Sequence, residues 1–226
     1  MRINFFDLGS FDGMESKIIL DVFEELNIDD FRVYAFEPCL DSFNKIKNLI
    51  GENNNVVLVN AGISDKNDKS KLYHSFSGNE VGHSIFSTKN NVFENDYEEI
   101  DVVKFSDWCN KENVLVSECL NIIKFNIEGA EWHLINDLID SNLIQHIHIF
   151  CGDGIDIYKI AELNKFVDDY ELKLKKFNIN IIPFSAQGYE NEISRVSDEK
   201  NILKNKIKFE YEKLQNNKSR LTNQSN

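Results

Sequence analysis

Six residues into the chain, an apolar run ends at a carboxylate, turns through two glycines and then takes up helical spacing. The run is Ile3 to Phe6, the turn is Asp7-Leu8-Gly9-Ser10-Phe11-Asp12-Gly13, and Ile18, Ile19, Val22, Phe23 and Leu26 follow it. A short stretch rich in Phe and Ile suits a strand buried in a parallel sheet, and the spacing after it suits one face of a helix. Gly9 and Gly13 lack a Cβ, so the backbone can turn sharply and a bound molecule can come close to the main chain at the start of the helix. The arrangement predicts a nucleotide-cofactor loop.

The charge of the loop narrows the cofactor. A dinucleotide site is built on G-x-G-x-x-G with bare amides facing a pyrophosphate. Here the spacing is G-x-x-x-G, and the loop carries Asp7 and Asp12. Carboxylates there repel phosphate and suit a ligand with an ammonium and a sulfonium, which S-adenosylmethionine (SAM) has. About 20 residues further on, a second strand should end in an acid that holds the ribose hydroxyls. Arg32-Val33-Tyr34-Ala35-Phe36-Glu37-Pro38 supplies Glu37, and Pro38 stops the strand and turns the chain into a helix over Leu40 to Ile50. The competing reading makes Asp7 and Asp12 helix caps and Glu37 a solvated strand end. Three acids at the spacing of a βαβ nucleotide site favour the ligand.

Four blocks resemble the FkbM-type SAM-dependent methyltransferases in order and spacing: Phe6-Asp7-Leu8-Gly9, Val33-Tyr34-Ala35-Phe36-Glu37-Pro38, Asn60-Ala61-Gly62-Ile63-Ser64-Asp65, and Ile123-Lys124-Phe125-Asn126-Ile127-Glu128-Gly129-Ala130-Glu131. The last block carries most of the specificity. The resemblance implies a Rossmann-like class I methyltransferase fold, with SAM held around Asp7, Gly9, Ser10, Asp12, Gly13, Glu37 and Ala61. It also implies transfer to an oxygen of a small-molecule or glycan-like acceptor, with Glu128 and Glu131 as candidate base and orienter and Asn126 beside them. The family usually has Asp where this chain has Asn126, and many members have an acid and a His where it has Phe150, Cys151 and Gly152. Two other readings stand beside transfer: a SAM-binding protein that has lost its chemistry, and a nicotinamide-dependent oxidoreductase on the same fold. Glu128 has a structural alternative as well, tying down the Gly129 turn or pairing with Lys124.

The remaining chain alternates strand and helix. Strands are expected at Asn55 to Val59, Asn121 to Ile127, Ile144 to Phe150 and Ile179 to Phe184, with helices over Ala130 to Leu143 and Ile160 to Phe177. Shorter extended pieces at Lys71 to Phe76, Ser84 to Thr88 and Ile100 to Phe105 form an insertion where acceptor contacts could sit. Such alternation predicts an α/β fold, a mostly parallel sheet with helices on both faces, and ligands at the carboxyl ends of the strands. Gly9, Glu37, Ala61 and Asn126 all fall at such ends.

Composition bounds the partners. The 226 residues carry a net charge of −13, which opposes a nucleic-acid backbone as partner. No apolar stretch reaches the roughly 18 residues of a membrane span, and a cytoplasmic protein is expected. Cys39, Cys109, Cys119 and Cys151 show no C-x-x-C pair, so neither zinc nor a disulfide framework is indicated. His146 and His148 alternate along a strand but lack a third ligand, and the glycine-bearing loop over residues 77–83 could close over cofactor or acceptor with His83 as a proton acceptor, although a solvated surface histidine is the preferred reading. Trp108 and Trp132 are read as core. Residues 1–189 are read as the methyltransferase domain and 190–226 as a polar tail, with eight Lys and Arg against six Asp and Glu. In the tail Ile193, Val196, Leu203, Ile207, Tyr211 and Leu214 share a helical face, for docking on the body or for self-association, and residues 216–226 are expected to be disordered.

Overall fold

Every residue of the first strand, β1 (Ile3–Leu8), is buried, as a strand covered on both faces requires. The computed structural model describes residues 1–76, 82–114, 116–186 and 193–224, with side chains of the last helix as far as residue 217. After β1 come α1 (Met14–Glu25), β2 (Phe31–Phe36), α2 (Leu40–Ile50), β3 (Val56–Val59), β4 (Gly62–Ile63), β5 (Asp68–Ser75), β6 (Val92–Val103) and α3 (Phe105–Lys111). The chain continues through β7 (Leu120–Phe125), α4 (Glu131–Asp140), β8 (Ile147–Gly152), α5 (Val167–Lys176), β9 (Ile181–Ile182) and α6 (Ile193–Gln224).

The main sheet has the order β3-β2-β1-β7-β8-β9, and every neighbouring pair is parallel. The order reverses at β1 and β7, the switch point outside which open α/β sheets bind ligands. Alternation along the strands feeds two cores. Phe6 and Leu8 of β1 join Phe105 of α3, Leu134 of α4 and Tyr170 of α5 on one face. Ile3 and Phe5 join Ile19 and Phe23 of α1 and Val196, Leu203 and Ile207 of α6 on the other. Helices therefore cover both faces, as the alternation predicts. Asn4 interrupts the apolar pattern of β1, and its Nδ2 donates to Asn121 Oδ1 on β7 at 2.9 Å, fully buried.

A second sheet, β4-β6-β5, is built by the insertion. β5 and β6 pair antiparallel. The expected strand at Ser84 to Thr88 is a turn anchored by isolated bridges at Ser84 and Lys89. β6 begins earlier than Ile100: the stretch before it is mostly polar and exposed, so no apolar pattern marks it, and Tyr97 to Glu99 hold their place by pairing with Lys71 to Tyr73. The helix expected from Ile160 starts at Val167, after 3-10 turns. α3, only two turns long, was not anticipated, because so short a segment shows no period.

α6 is docked on the body. Val196, Leu203 and Ile207 are buried, and Lys200 and Lys204 both reach Glu25 of α1 at 2.6 Å. The apolar face offered for self-association is thus taken up by the chain's own sheet. The backbone is helical to Gln224 instead of disordered from residue 216, while residues 225–226, the 189/190 boundary and residues 77–81 of the His83 loop lie outside the described residues. Among the described helices none is long and apolar enough to cross a membrane.

Candidate active site

The turn after β1 is fixed from several sides. Gly9 has φ +77°, and a Cβ there would lie 2.1 Å from the carbonyl oxygen of Asn126, so the ends of β1 and β7 meet where only glycine fits. Most amides of the turn are already engaged. Gly9 and Ser10 donate to Phe36 O, Phe11 to Glu37 Oε2, Gly13 to Ser10 O and Met14 to Asp12 Oδ1. Beneath the turn Lys124 Nζ donates to Gly9 O at 2.8 Å and pairs with Asp7 at 3.0 Å, both side chains at most 1% exposed. The Asp7 and Glu15 charges outweigh desolvation and raise the Lys124 pKa, so it stays charged.

A cleft of about 660 Å³, its open mouth included, lies over the ends of β1, β2 and β7. Gly9, Phe11, Glu37, Ala61, Asn126 and Glu128 line it, together with the apolar walls Phe36, Ile63, Leu72, Ile85 and Ile127. Glu37 Oε2 accepts from Phe11 N at 2.8 Å and Oε1 from Cys39 N at 2.9 Å. Burial pushes the Glu37 pKa up to about 7, outweighing those two amides. Each carboxylate oxygen keeps an acceptor site for a further donor.

At the other end of the cleft Glu128 takes φ +56°. Among the described residues, the other non-glycine positions with positive φ are Phe11 and four asparagines, and asparagine adopts that conformation readily. The two that do not, Phe11 and Glu128, both line the cleft, and backbone strain of this kind gathers at functional sites. Gly129 follows at φ +111°, where a Cβ would lie 1.8 Å from Ile160 Cδ1. Glu128 Oε2 is paired with Lys89 Nζ, and Lys89 also donates to Gly82 O at 3.1 Å. Burial, and then the charge of Asp156, hold the Glu128 pKa up at about 7 against the pull of Lys89. Asp156 hydrogen-bonds Glu128 and is itself paired with Lys159.

The structure gathers Gly9, Glu37, Ala61, Asn126 and Glu128 into one cleft and leaves the other expected residues outside its lining. Asp7 faces Lys124 and accepts from Ser16 Oγ at 2.6 Å, so its carboxylate is consumed inside the fold. Ser10 donates to Asp7 O, Asp12 caps the Met14 amide, and Gly13 packs against Ile46 of α2. Glu131 is fully buried at the start of α4, and neither oxygen has a hydrogen-bond partner among the described residues. Burial, and then Asp156, raise its pKa well above the ordinary carboxylate value, and it does not line the cleft, so it is not placed to orient an acceptor there. Glu128 pairs with Lys89, not with Lys124.

Of the weaker candidates, His83 lines the cleft. His148 Nδ1 accepts from Asn121 N at 3.2 Å, Trp108 is in the core, and Trp132 stacks on Phe166 away from the cleft. Sequence reasoning missed Lys89 and Asp156. Lys89 sits in a polar stretch that reads as a solvated turn, yet is only 4% exposed, and no local signal marks it.

Residues 19–182 match the profile of the methyltransferase FkbM domain. No curated protein matches the chain. Among solved structures, methyltransferase FkbM from Methylobacillus flagellatus KT is similar at 15% sequence identity and a TM-score of 0.41, over 76% of this chain and 36% of that one. This chain therefore spans little more than a third of that protein's length.

Proposed function

The chain belongs to the FkbM methyltransferase family, and we propose that it binds SAM in the cleft over β1, β2 and β7 and methylates a hydroxyl oxygen of a small-molecule or glycan-like acceptor. One observation carries the choice of cofactor. Of the turn amides that would face a pyrophosphate, those of Gly9, Ser10, Phe11, Gly13 and Met14 already donate within the protein, whereas Glu37 offers a carboxylate with acceptor sites left. That favours a cofactor with ribose hydroxyls and no phosphate over a dinucleotide. The apolar walls suit an adenine ring, and Gly9 allows close approach to the main chain.

SAM, when bound, supplies a methyl group already activated on a sulfonium. The protein then has to hold the acceptor and take its proton. Glu128, poised at about 7, is the base in this reading. Lys89 compensates its charge before the proton arrives, and Asp156 accepts a hydrogen bond from the protonated form. Asn126 can donate to and accept from a bound hydroxyl but takes no proton near neutral pH. The net charge of −13 supports an acceptor other than a nucleic acid.

Calorimetry with S-adenosylhomocysteine tests the reading. Binding is expected, with Glu37→Ala weakening it by about 1–3 kcal/mol and neither oxidised nor reduced nicotinamide nucleotide competing. No heat from well-folded protein would sink both transfer and the inactive-binder alternative, which the amide at Asn126 otherwise favours. Competition by nicotinamide nucleotides would instead turn the site into an oxidoreductase's.

A further inference from the structure

Beside the cofactor cleft, and sharing His83 with it, lies a second hollow whose polar lining includes Cys39, Asp41, His74, Asp96 and Glu98. Cys39 Sγ, a ring nitrogen of His83 and a carboxylate oxygen of Glu98 all lie within 4.8 Å of one another. A zinc-type tetrahedron with bonds of about 2.0–2.3 Å sets its ligand atoms about 3.3–3.8 Å apart, so these side-chain ends need to close by at most about 1.5 Å.

His74 stands beside this trio, outside its mutual 4.8 Å, and its ring must swing in to become a fourth ligand. Its Nε2 is 3.8 Å from Glu98 Oε1, and its ring centroid is 4.9 Å from that of His83. Its Nδ1 lies 3.0 Å from Asp96 Oδ1. A carboxylate that holds Nδ1–H fixes the tautomer in which the Nε2 lone pair is available, which is the outer partner metal-bound histidines usually have.

We propose that Cys39, His74, His83 and Glu98 bind one divalent ion of the zinc class. The donor set excludes hard cations: a thiolate and two imidazoles suit the later first-row divalent metals such as zinc, whereas magnesium and calcium take oxygen ligands. The thiol gives up its proton to solvent on binding, and thiolate and carboxylate together neutralise the ion. The ligands come from the start of α2, from β5, from β6 and from the His83 segment, so no spacing along the sequence announces them. Cys39 N also donates to Glu37 Oε1 at 2.9 Å, so the ion clips the insertion to the corner that holds the cofactor acid. This site stands whether or not the cleft transfers methyl groups.

Cobalt(II) is the probe. Full-length protein, stripped with chelator and titrated under reducing conditions, should bind one equivalent and develop a sulfur-to-cobalt charge-transfer band with tetrahedral bands in the visible. Zinc should displace the cobalt and bleach both. Cys39→Ser should abolish the charge-transfer band, and His74→Ala should weaken cobalt binding at least about tenfold with an unchanged circular dichroism spectrum. A natively folded protein that gives no band overturns the proposal. So does a band that survives Cys39→Ser, which would trace to another cysteine. If Cys39→Ser fails to fold, unchanged affinity in His74→Ala overturns it.

Discussion

Asp7 and Lys124 stand directly opposite each other on adjacent central strands, 3.0 Å apart and shut away from solvent, and the same ammonium holds the carbonyl of Gly9. The acid that the sequence offers to a ligand thus acts one step removed, through the lysine that shapes the turn. Removing one partner of a buried ion pair leaves an uncompensated charge. Lys124→Met should cost about 3–5 kcal/mol in urea unfolding, and Asp7→Asn added to it should recover part of the loss. A double variant no better than Lys124→Met would mean that the pair is not the source of the cost.

Glu128 should impose its ionisation on the rate. A base must be unprotonated, so kcat/KM should rise as pH passes through about 7, where burial and Asp156 hold its pKa. Glu128→Gln should lower turnover by about 10²–10⁴ with S-adenosylhomocysteine affinity kept. Full turnover by that variant would remove Glu128 from the chemistry. Activity gained only on Asn126→Asp would identify the natural protein as a binder.

Stability should fall as pH rises from acid toward neutral. The Glu37 pKa is raised from 4.5 to about 7 by burial, so the folded state binds the proton more tightly than the unfolded chain does. Its contribution is complete below about 4.5 and lost as pH rises through about 7, on the order of 3 kcal/mol. Unfolding free energies at pH 5 and pH 8 should differ in that sense, and Glu37→Gln should flatten the difference. An undiminished slope in the variant would assign it to other carboxyls.

Much of the main sheet can be read from the chain because β1, β2 and β7 are mostly apolar runs followed by Gly or Pro turns, and the strand ends locate Gly9, Glu37, Ala61 and Asn126. What escapes the reading depends on contacts distant in sequence. An acid in the first turn of a helix normally faces water, and Glu131 does not, because the apolar face of α4 rotates it inward. Lys89 is buried by an ion pair to a residue 39 positions away. Gly129 is required by the side chain of Ile160, and a lone glycine after an acid carries no sign of that.

Deleting residues 193–226 should do more than trim an appendage. Val196, Leu203 and Ile207 each bury a side chain worth about 1.5–3 kcal/mol, against a total stability of about 5–15 kcal/mol for a domain. The truncated chain should lose its cooperative urea transition and expose the β1 face to hydrophobic dye. An unchanged midpoint would show that α6 is dispensable to the body.

The Asn4–Asn121 contact works as an address label for strand pairing. The apolar residues of β1 cannot by themselves choose among the similarly apolar strands β2, β7 and β8, since each would accept an Ile or Phe neighbour. Wrong partners, or a slip along the right one, would part the buried Asn4 Nδ2 from Asn121 Oδ1, at about 1–3 kcal/mol for each group left unsatisfied, while Asn121 is held in place by its bonds to the carbonyls of Val116 and His146. A mispaired intermediate is therefore less stable than the correct one before the cleft has formed. The pair that contributes nothing to chemistry acts as a proofreader for the sheet on which the chemistry is mounted.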